Sequence, residues 1–274
     1  MKIGLDSYSY HLHLEDIDYP RDTYWFLSKV VEYGLDGCHL DPRHLCGWNE
    51  DLICDIGEFC SDNGLYLELG GGGFDYERLS RRLQLSSKVG ARLLRTFVGG
   101  ERSKMPEERL QEVINNTIES FKRLSGVAER VDVMLAIENY EDFTSEQIID
   151  ILDAVGSPYI GACVDNGNAL AVWEDPVRCV ETLIPYLVAV HLKDWRHWWE
   201  EGIAKREGCV FGQGDGRVAD VYSVLRKANL DIPITLRIPT VKPDRLDCTL
   251  EEEEANVIKS IQFIRKLDAQ LEKV

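Results

Sequence analysis

The chain has 274 residues, of which 31 are lysine or arginine and 48 are aspartate or glutamate, so its formal net charge at pH 7 is −17. Hydrophobic residues make up 44% of the chain, a normal share for a folded protein, which excludes wholesale disorder. Proteins that bind nucleic acid neutralise its phosphates with lysine and arginine, whereas a surface this acidic repels them. We therefore expect neither nucleic acid nor an anionic membrane as a partner, while a local cationic pocket for a small anion is compatible with this charge.

The first residues and the cysteines indicate the cellular compartment in which we expect the protein. The opening MKIGLDSYSYHLHLED has no apolar core and no small-residue cleavage site of a secretory signal. No apolar run approaches the roughly 18 residues that a membrane helix needs. The eight cysteines are scattered, and no two of them form a CxxC pair. These features predict a cytoplasmic protein with reduced thiols, several of them buried as small hydrophobic side chains.

Short apolar runs alternate with amphipathic stretches from one end of the chain to the other. The apolar runs predict strands at 2–6, 35–40, 65–69, 91–97, 133–139, 159–166, 187–194 and 233–239. The amphipathic stretches predict helices at 22–33, 50–62, 75–89, 106–129, 144–155, 175–184, 219–228 and 250–271. The last helix opens on the acidic run Glu251–Glu254, and negative charge stabilises a helix N-terminus.

This alternation predicts an α/β protein consisting of one TIM-barrel domain over residues 1–274. Strands that alternate with helices pair in parallel, and eight such units in about 250 residues fit a single (β/α)8 barrel. A doubly wound open sheet is the competing arrangement, but no GxGxxG motif opens the first helix. No linker or low-complexity segment divides the chain.

In a TIM barrel the chemistry lies where the strands end, in the loops that lead into the helices. Three successive predicted strands end in IENYED, VDNGN and VHLKDW, which place Glu138, Asp165 and His191 at equivalent depths. Each residue alone is more typical of a structural role, as a cap, a turn residue or a rim histidine. Together, two carboxylates and an imidazole at one rim predict a site for one divalent ion: Mn²⁺, Mg²⁺, Co²⁺ or Zn²⁺.

Several motifs resemble those of the xylose-isomerase-like superfamily of sugar phosphate isomerases and epimerases. They are DSYSYH at the start, AIENYED, CVDNGNAL, VHLKDW and FGQGDGRVADVYSVLRKANL before the eighth strand. The resemblance covers nearly the whole chain and is specific for the superfamily rather than for one reaction. It implies a TIM barrel with a metal ion held by Glu138, Asp165 and His191.

One position departs from the family pattern. The family's fourth metal ligand is a glutamate near the end of strand eight, and Arg237 in PITLRIP stands there in this chain. An arginine has no lone pair to offer a cation, and its fixed charge opposes metal binding nearby. The isomerases and epimerases of the family use that glutamate with the strand-five glutamate as an acid–base pair, so this chain lacks half of the pair. We interpret Arg237 as a bidentate binder of a negative substrate group, the alternative being lost activity.

The resemblance therefore implies a divalent-metal-dependent enzyme that acts on a keto sugar or an oxidised sugar acid through an enolate. The favoured function is a sugar-acid lyase, a decarboxylase resembling the 3-oxo-isoapionate type, with Arg237, Lys193 and Glu138 as catalytic residues. The first alternative is a sugar isomerase or epimerase of the same superfamily. The second is a non-catalytic sugar-binding or partner subunit.

Further cations and polar residues near the strand ends are candidate contacts for a small-molecule sugar or sugar acid. Arg95 ends the fourth strand, and Arg196 follows the seventh. His39 ends the second strand, and Asn168 lies three residues after the proposed metal ligand on the sixth strand. Each of these four side chains alone is as typical of a salt bridge or of rim packing. We nevertheless expect them to bind substrate.

Two remaining features stay open. The segment GQGDG resembles a small phosphate cradle, but its family counterpart only shapes a loop, so we do not assign it to phosphate. Trp195, Trp198 and Trp199 follow the seventh strand and are compatible with a wall for a sugar, a cover for the pocket or a contact with another subunit. A homo-oligomer is compatible with the resemblance, which implies a dimer or a tetramer more often than a monomer.

Overall fold

The computed structural model describes residues 1–15, 21–45, 47–201, 203–240 and 250–271. Its strands are β1 (Ile3–Asp6), β2 (Gly37–Leu40), β3 (Tyr66–Gly70), β4 (Leu93–Thr96), β5 (Met134–Glu138), β6 (Ile160–Asp165), β7 (Leu187–Leu192), β8 (Trp195–Glu200), β9 (Ile203–Gly208) and β10 (Ile234–Leu236). Strands β1 to β7 pair in parallel in chain order, β10 pairs with β7, and β1 pairs with β10. The sheet is therefore a closed eight-stranded barrel, which confirms the predicted fold and excludes the open sheet.

Helices follow the barrel strands and cover the outside of the barrel. They are α1 (His11–Leu14), α2 (Thr23–Glu32), α3 (Glu50–Asp62), α4 (Tyr76–Lys88), α5 (Glu107–Val131), α6 (Ser145–Val155), α7 (Pro176–Leu183), α8 (Val218–Ala228) and α9 (Leu250–Leu271). All eight predicted helices are present, with ends that differ by no more than two residues. No helix in the described ranges is long and apolar enough to cross a membrane.

Local sequence explains where the helices begin. Asn49 and Asp75 accept backbone N–H bonds at the starts of α3 and α4, and Thr144 forms a capping box with Gln147 at the start of α6. Each such cap contributes about 1 kcal/mol. Because these caps lie in the loops that follow strands, they fix the loops at the carboxyl ends of the strands, where the candidate site lies.

The one-turn helix α1 was not predicted, and neither was a hairpin. Residues Trp195–Glu200 and Ile203–Gly208 form an antiparallel hairpin, β8–β9, between β7 and α8. Most of the β8 side chains are exposed. The hairpin projects from the end of β7, at the same side of the barrel as the candidate site. The extent of the domain over residues 1–274 stays a prediction.

Candidate active site at the carboxyl ends of the strands

The structure brings Glu138, Asp165 and His191 together. Glu138 and Asp165 are the last residues of β5 and β6, and Asp165 lies directly beside His191 of β7 in the strand register. One ligand atom from each residue lies within 4.8 Å of the others, and all three side chains are fully buried. Ligand atoms around one ion at roughly 2.0–2.2 Å lie up to about 4.4 Å apart, so small side-chain shifts would close the set around a metal.

The two carboxylates already contact cations. Arg95 NH1 lies 3.1 Å from Glu138 Oε2, and Lys193 Nζ lies 3.0 Å from Asp165 Oδ2. Asn168 joins the two pairs, because its Nδ2 donates to Glu138 Oε1 at 3.1 Å and its Oδ1 accepts from Lys193 at 2.8 Å. Burial raises the pKa of Asp165 and lowers that of Lys193, and the contact between the opposite charges opposes both shifts. Arg95, Lys193 and Asn168 thus form one network around the carboxylates.

His191 has a different environment. Neither of its buried ring nitrogens has a hydrogen-bond partner among the described residues. Burial holds the pKa of His191 well below its usual range, and His39, Arg95 and Arg237 act in the same direction. The imidazole is therefore neutral at neutral pH, which is the form that binds a metal ion.

Arg237 follows β10 and is fixed by its backbone N–H, which donates to Leu192 O at 2.8 Å. Its NH1 lies 3.8 Å from Asp6 Oδ2 and 3.9 Å from Glu138 Oε1. Its NH2 lies 3.6 Å from Asp41 Oδ2. Burial alone would lower the pKa of Arg237, but these three carboxylates and Asp165 outweigh it and raise the pKa. The guanidinium is therefore charged and buried, although its Nε and NH1 donate no hydrogen bond within the described residues.

Asp6 and His39 form a second buried pair beside this group. His39 Nδ1 lies 3.1 Å from Asp6 Oδ2, and the His39 and His191 rings are T-shaped at 4.7 Å between centroids. Burial would raise the pKa of Asp6, but Arg237 and His39 outweigh it and hold that pKa well below its usual range. Sequence reasoning missed Asp6, and also Asp41. Asp6 is the last residue of β1, so the strand-end criterion that selects Glu138 would have found it.

Arg196 does not join the buried group. It lies on the hairpin, half-exposed, and its ion-pair partner is Glu207 at 3.5 Å. This placement away from the buried group does not support the predicted role of Arg196 in substrate binding. The residue spacing does not reveal that the chain leaves the barrel and forms a hairpin after Asp194. Among the neighbouring tryptophans, Trp199 is 71% exposed.

The GQGDG segment holds a side chain of the protein itself. The Asp194 carboxylate accepts the backbone N–H groups of Gly212, Gly214 and Gly216 at 2.8, 3.1 and 2.9 Å. These donors are the groups that a phosphate would need. The segment therefore fixes the loop after the hairpin instead of offering a phosphate site.

Comparisons with known proteins find a relative by sequence and several solved structures with a similar fold. The 3-oxo-isoapionate decarboxylase of Pectobacterium atrosepticum is 28% identical over 218 residues, which cover 78% of this chain and 77% of that protein. Among solved structures, D-psicose 3-epimerase in the presence of D-fructose has a TM-score of 0.76 at 15% identity, covering 97% of this chain and 99% of the other. The IOLI protein with a bound zinc atom has a TM-score of 0.72 at 15% identity, covering 98% and 97%. These structural likenesses concern the fold.

The family match extends over most of the barrel. The family described as xylose isomerase-like TIM barrel matches residues 27–267, a range that includes β2 to β10 and with them Glu138, Asp165, His191 and Arg237. The chain belongs to the xylose isomerase-like TIM barrel family.

Proposed function

We propose that this protein is a sugar-acid lyase that releases CO₂ from an oxidised sugar acid with a β-keto carboxylate. The observation that carries the proposal is the state of Arg237. Its nitrogens lie 3.6–3.9 Å from the surrounding carboxylates, beyond the 2.7–2.9 Å of a charge-assisted hydrogen bond. In the described part of the chain two donors of this buried, charged guanidinium form no hydrogen bond, which favours a substrate carboxylate as its partner.

A divalent ion fits the group Glu138, Asp165 and His191. One ring nitrogen of His191 and the carboxylate oxygens beside it supply a mixed nitrogen and oxygen donor set, and neither ring nitrogen has a hydrogen-bond partner among the residues that the structure describes. Arg95 and Lys193 would have to yield part of their contact with the carboxylates. When bound, such an ion supplies a Lewis acid for the ketone oxygen of the substrate.

The residues of the chain account for the remaining steps. Arg237 binds the substrate carboxylate and orients the scissile carbon–carbon bond perpendicular to the plane of the ketone. When that bond breaks, its electron pair passes into the ketone to give an enolate, and the carboxylate leaves as CO₂. The positive charge of Lys193 lies near the developing negative charge. Transfer of a proton from the Lys193 ammonium to the enolate carbon then gives the ketone product, and Glu138 acts as a ligand of the ion.

The relative that is itself a 3-oxo-isoapionate decarboxylase supports this choice over isomerisation. An isomerase or epimerase removes a proton on one side of a carbon and returns it on the other, which needs two acid–base groups. In this chain an arginine stands at the end of β10, where the second group would be expected.

The test is a screen of the purified protein against oxidised sugar acids, with CO₂ release measured in the presence of Mn²⁺, Mg²⁺, Co²⁺ or Zn²⁺ and again after chelation. We expect release from a β-keto sugar acid that chelator abolishes. Neutral keto sugars serve as the matched substrates, with epimer formation measured by NMR. Turnover of neutral keto sugars without CO₂ release from any acid would favour the isomerase and overturn the proposal.

A further inference from the structure

A second group of potential ligands lies beside the one described above. Asp6, His39 and His191 each offer a ligand atom within 4.8 Å of the others, and all three are fully buried. They come from β1, β2 and β7, whereas the first group comes from β5, β6 and β7. The two groups share His191.

The second group contains two imidazoles, whereas the first group contains one. His39 Nδ1 lies 3.1 Å from Asp6 Oδ2, and Nε2 lies on the other side of the ring. That Nε2 is buried and has no hydrogen-bond partner in the described part of the chain, and the same holds for both nitrogens of His191. Glu138 and Asp165, by contrast, lie 3.1 and 3.0 Å from Arg95 and Lys193.

Arg237 does not decide between the two groups. Its NH1 lies 3.8 Å from Asp6 Oδ2 and 3.9 Å from Glu138 Oε1, so its charge opposes a cation at either position to a similar extent. The difference lies in the donor atoms. Two imidazoles with one carboxylate suit Zn²⁺, whereas two carboxylates with one imidazole suit Mn²⁺ or Mg²⁺.

We propose that Asp6, His39 and His191 form a second divalent-metal position, selective for Zn²⁺, which is used in alternation with the position at Glu138, Asp165 and His191. Alternation follows from the shared ligand, because a neutral imidazole has one lone pair and binds one ion at a time. The ion takes one nitrogen from each imidazole and one carboxylate oxygen from Asp6, the atoms that lie within 4.8 Å of one another. This inference refines the metal site of the proposed function, but it is tested by metal binding without substrate.

The experiment is zinc X-ray absorption on the full chain loaded with one equivalent of Zn²⁺, which counts the imidazoles around the ion. We expect two imidazoles in the wild type and one in the His39→Gln variant. Competition titration should show Zn²⁺ binding weakened about tenfold or more in that variant. Its Mn²⁺ affinity should be unchanged, which also shows that the variant is folded.

The matched control is His44→Gln. His44 is another buried histidine, held by Ser7 Oγ at 2.8 Å, and it belongs to neither group. A single imidazole around zinc in the wild type would overturn the proposal, as would an unchanged Zn²⁺ affinity in His39→Gln. Neither result bears on CO₂ release with Mn²⁺, so the failure of this inference and the failure of the lyase proposal are separate outcomes.

Discussion

At the scale of single residues, Arg237 separates a lyase from an isomerase. Replacement by lysine keeps the charge but removes the planar fork that binds a carboxylate through two parallel hydrogen bonds. The Arg237→Lys variant should therefore lose about 1.5–3 kcal/mol of transition-state binding. This corresponds to a fall of roughly ten- to a hundredfold in kcat/KM for the sugar acid. Steady-state measurement of CO₂ release checks it, with Arg226→Lys on the outer helix α8 as the control.

A change of charge at the same position tests through metal binding whether Arg237 holds the substrate carboxylate. Arg237→Glu removes a positive charge and adds a carboxylate beside the site, so it should tighten divalent-metal binding and eliminate turnover of the acid. Metal affinity by titration and CO₂ release are the two measurements. Full activity of this variant on a carboxylate substrate would show that Arg237 does not hold the substrate.

Prediction from sequence worked for residues at strand ends and was weaker for contacts between side chains. Residue spacing predicts that Glu138, Asp165 and His191 converge, because parallel strands end at one rim, and the structure places them together; that they bind a metal ion stays a prediction. The sequence predicts that Asn168 contacts the substrate; in the structure Asn168 links Glu138 to Lys193, and its contact with substrate stays a prediction. Such contacts depend on rotamers and distances that residue spacing does not contain.

At the scale of elements, a buried carboxylate ties two loops of the active-site rim together. Asp142, in the loop between β5 and α6, accepts the backbone N–H of Gly99 at 3.0 Å, in the loop after β4. Burial raises the pKa of Asp142 to about 6. The Asp142 carboxyl group thus binds its proton more tightly in the folded state than in the unfolded chain. The free energy of unfolding therefore contains a contribution from this proton that is lost as the pH rises from about 4 to about 6.

The Asp142→Asn variant should therefore gain stability relative to the wild type as the pH rises. The full difference is about 3 kcal/mol, with about half of it between pH 5 and pH 7.5. Urea unfolding at several pH values measures it, and Asp150→Asn, an exposed position on α6, is the control. A difference between variant and wild type that stays constant with pH would show that Asp142 does not titrate in this range.

The elements themselves follow from sequence periodicity, with the short helix α1 and the hairpin as the exceptions. Every predicted strand and helix is present because each has an apolar face or core to bury. Strand β8 has no such face, since five of its six residues are exposed, and so WRHWWE gives no alternating pattern. An exposed hairpin is specified by its own pairing, which hydrophobic periodicity does not reveal.

At the scale of the whole molecule, closure of the barrel assembles the proposed metal ligands. Asp6 belongs to β1 and His191 to β7, and they approach because β10 pairs with both strands. An ion bound at either position therefore connects parts of the chain that are distant in sequence. Metal binding should stabilise the closed barrel as a unit, since the unfolded chain does not hold these ligands together.

Thermal unfolding with and without Mn²⁺ tests this coupling. Mn²⁺ at a hundred times its Kd should add about 2.7 kcal/mol to the free energy of unfolding. For a chain of this size, the corresponding rise in Tm is about 5 °C. Asp165→Asn should remove the rise, because Asp165 contributes to the carboxylate-rich position, whereas His39→Gln should keep it. An equal rise in wild type and Asp165→Asn would place Mn²⁺ elsewhere, because an ion stabilises the fold only through ligands that the folded chain assembles.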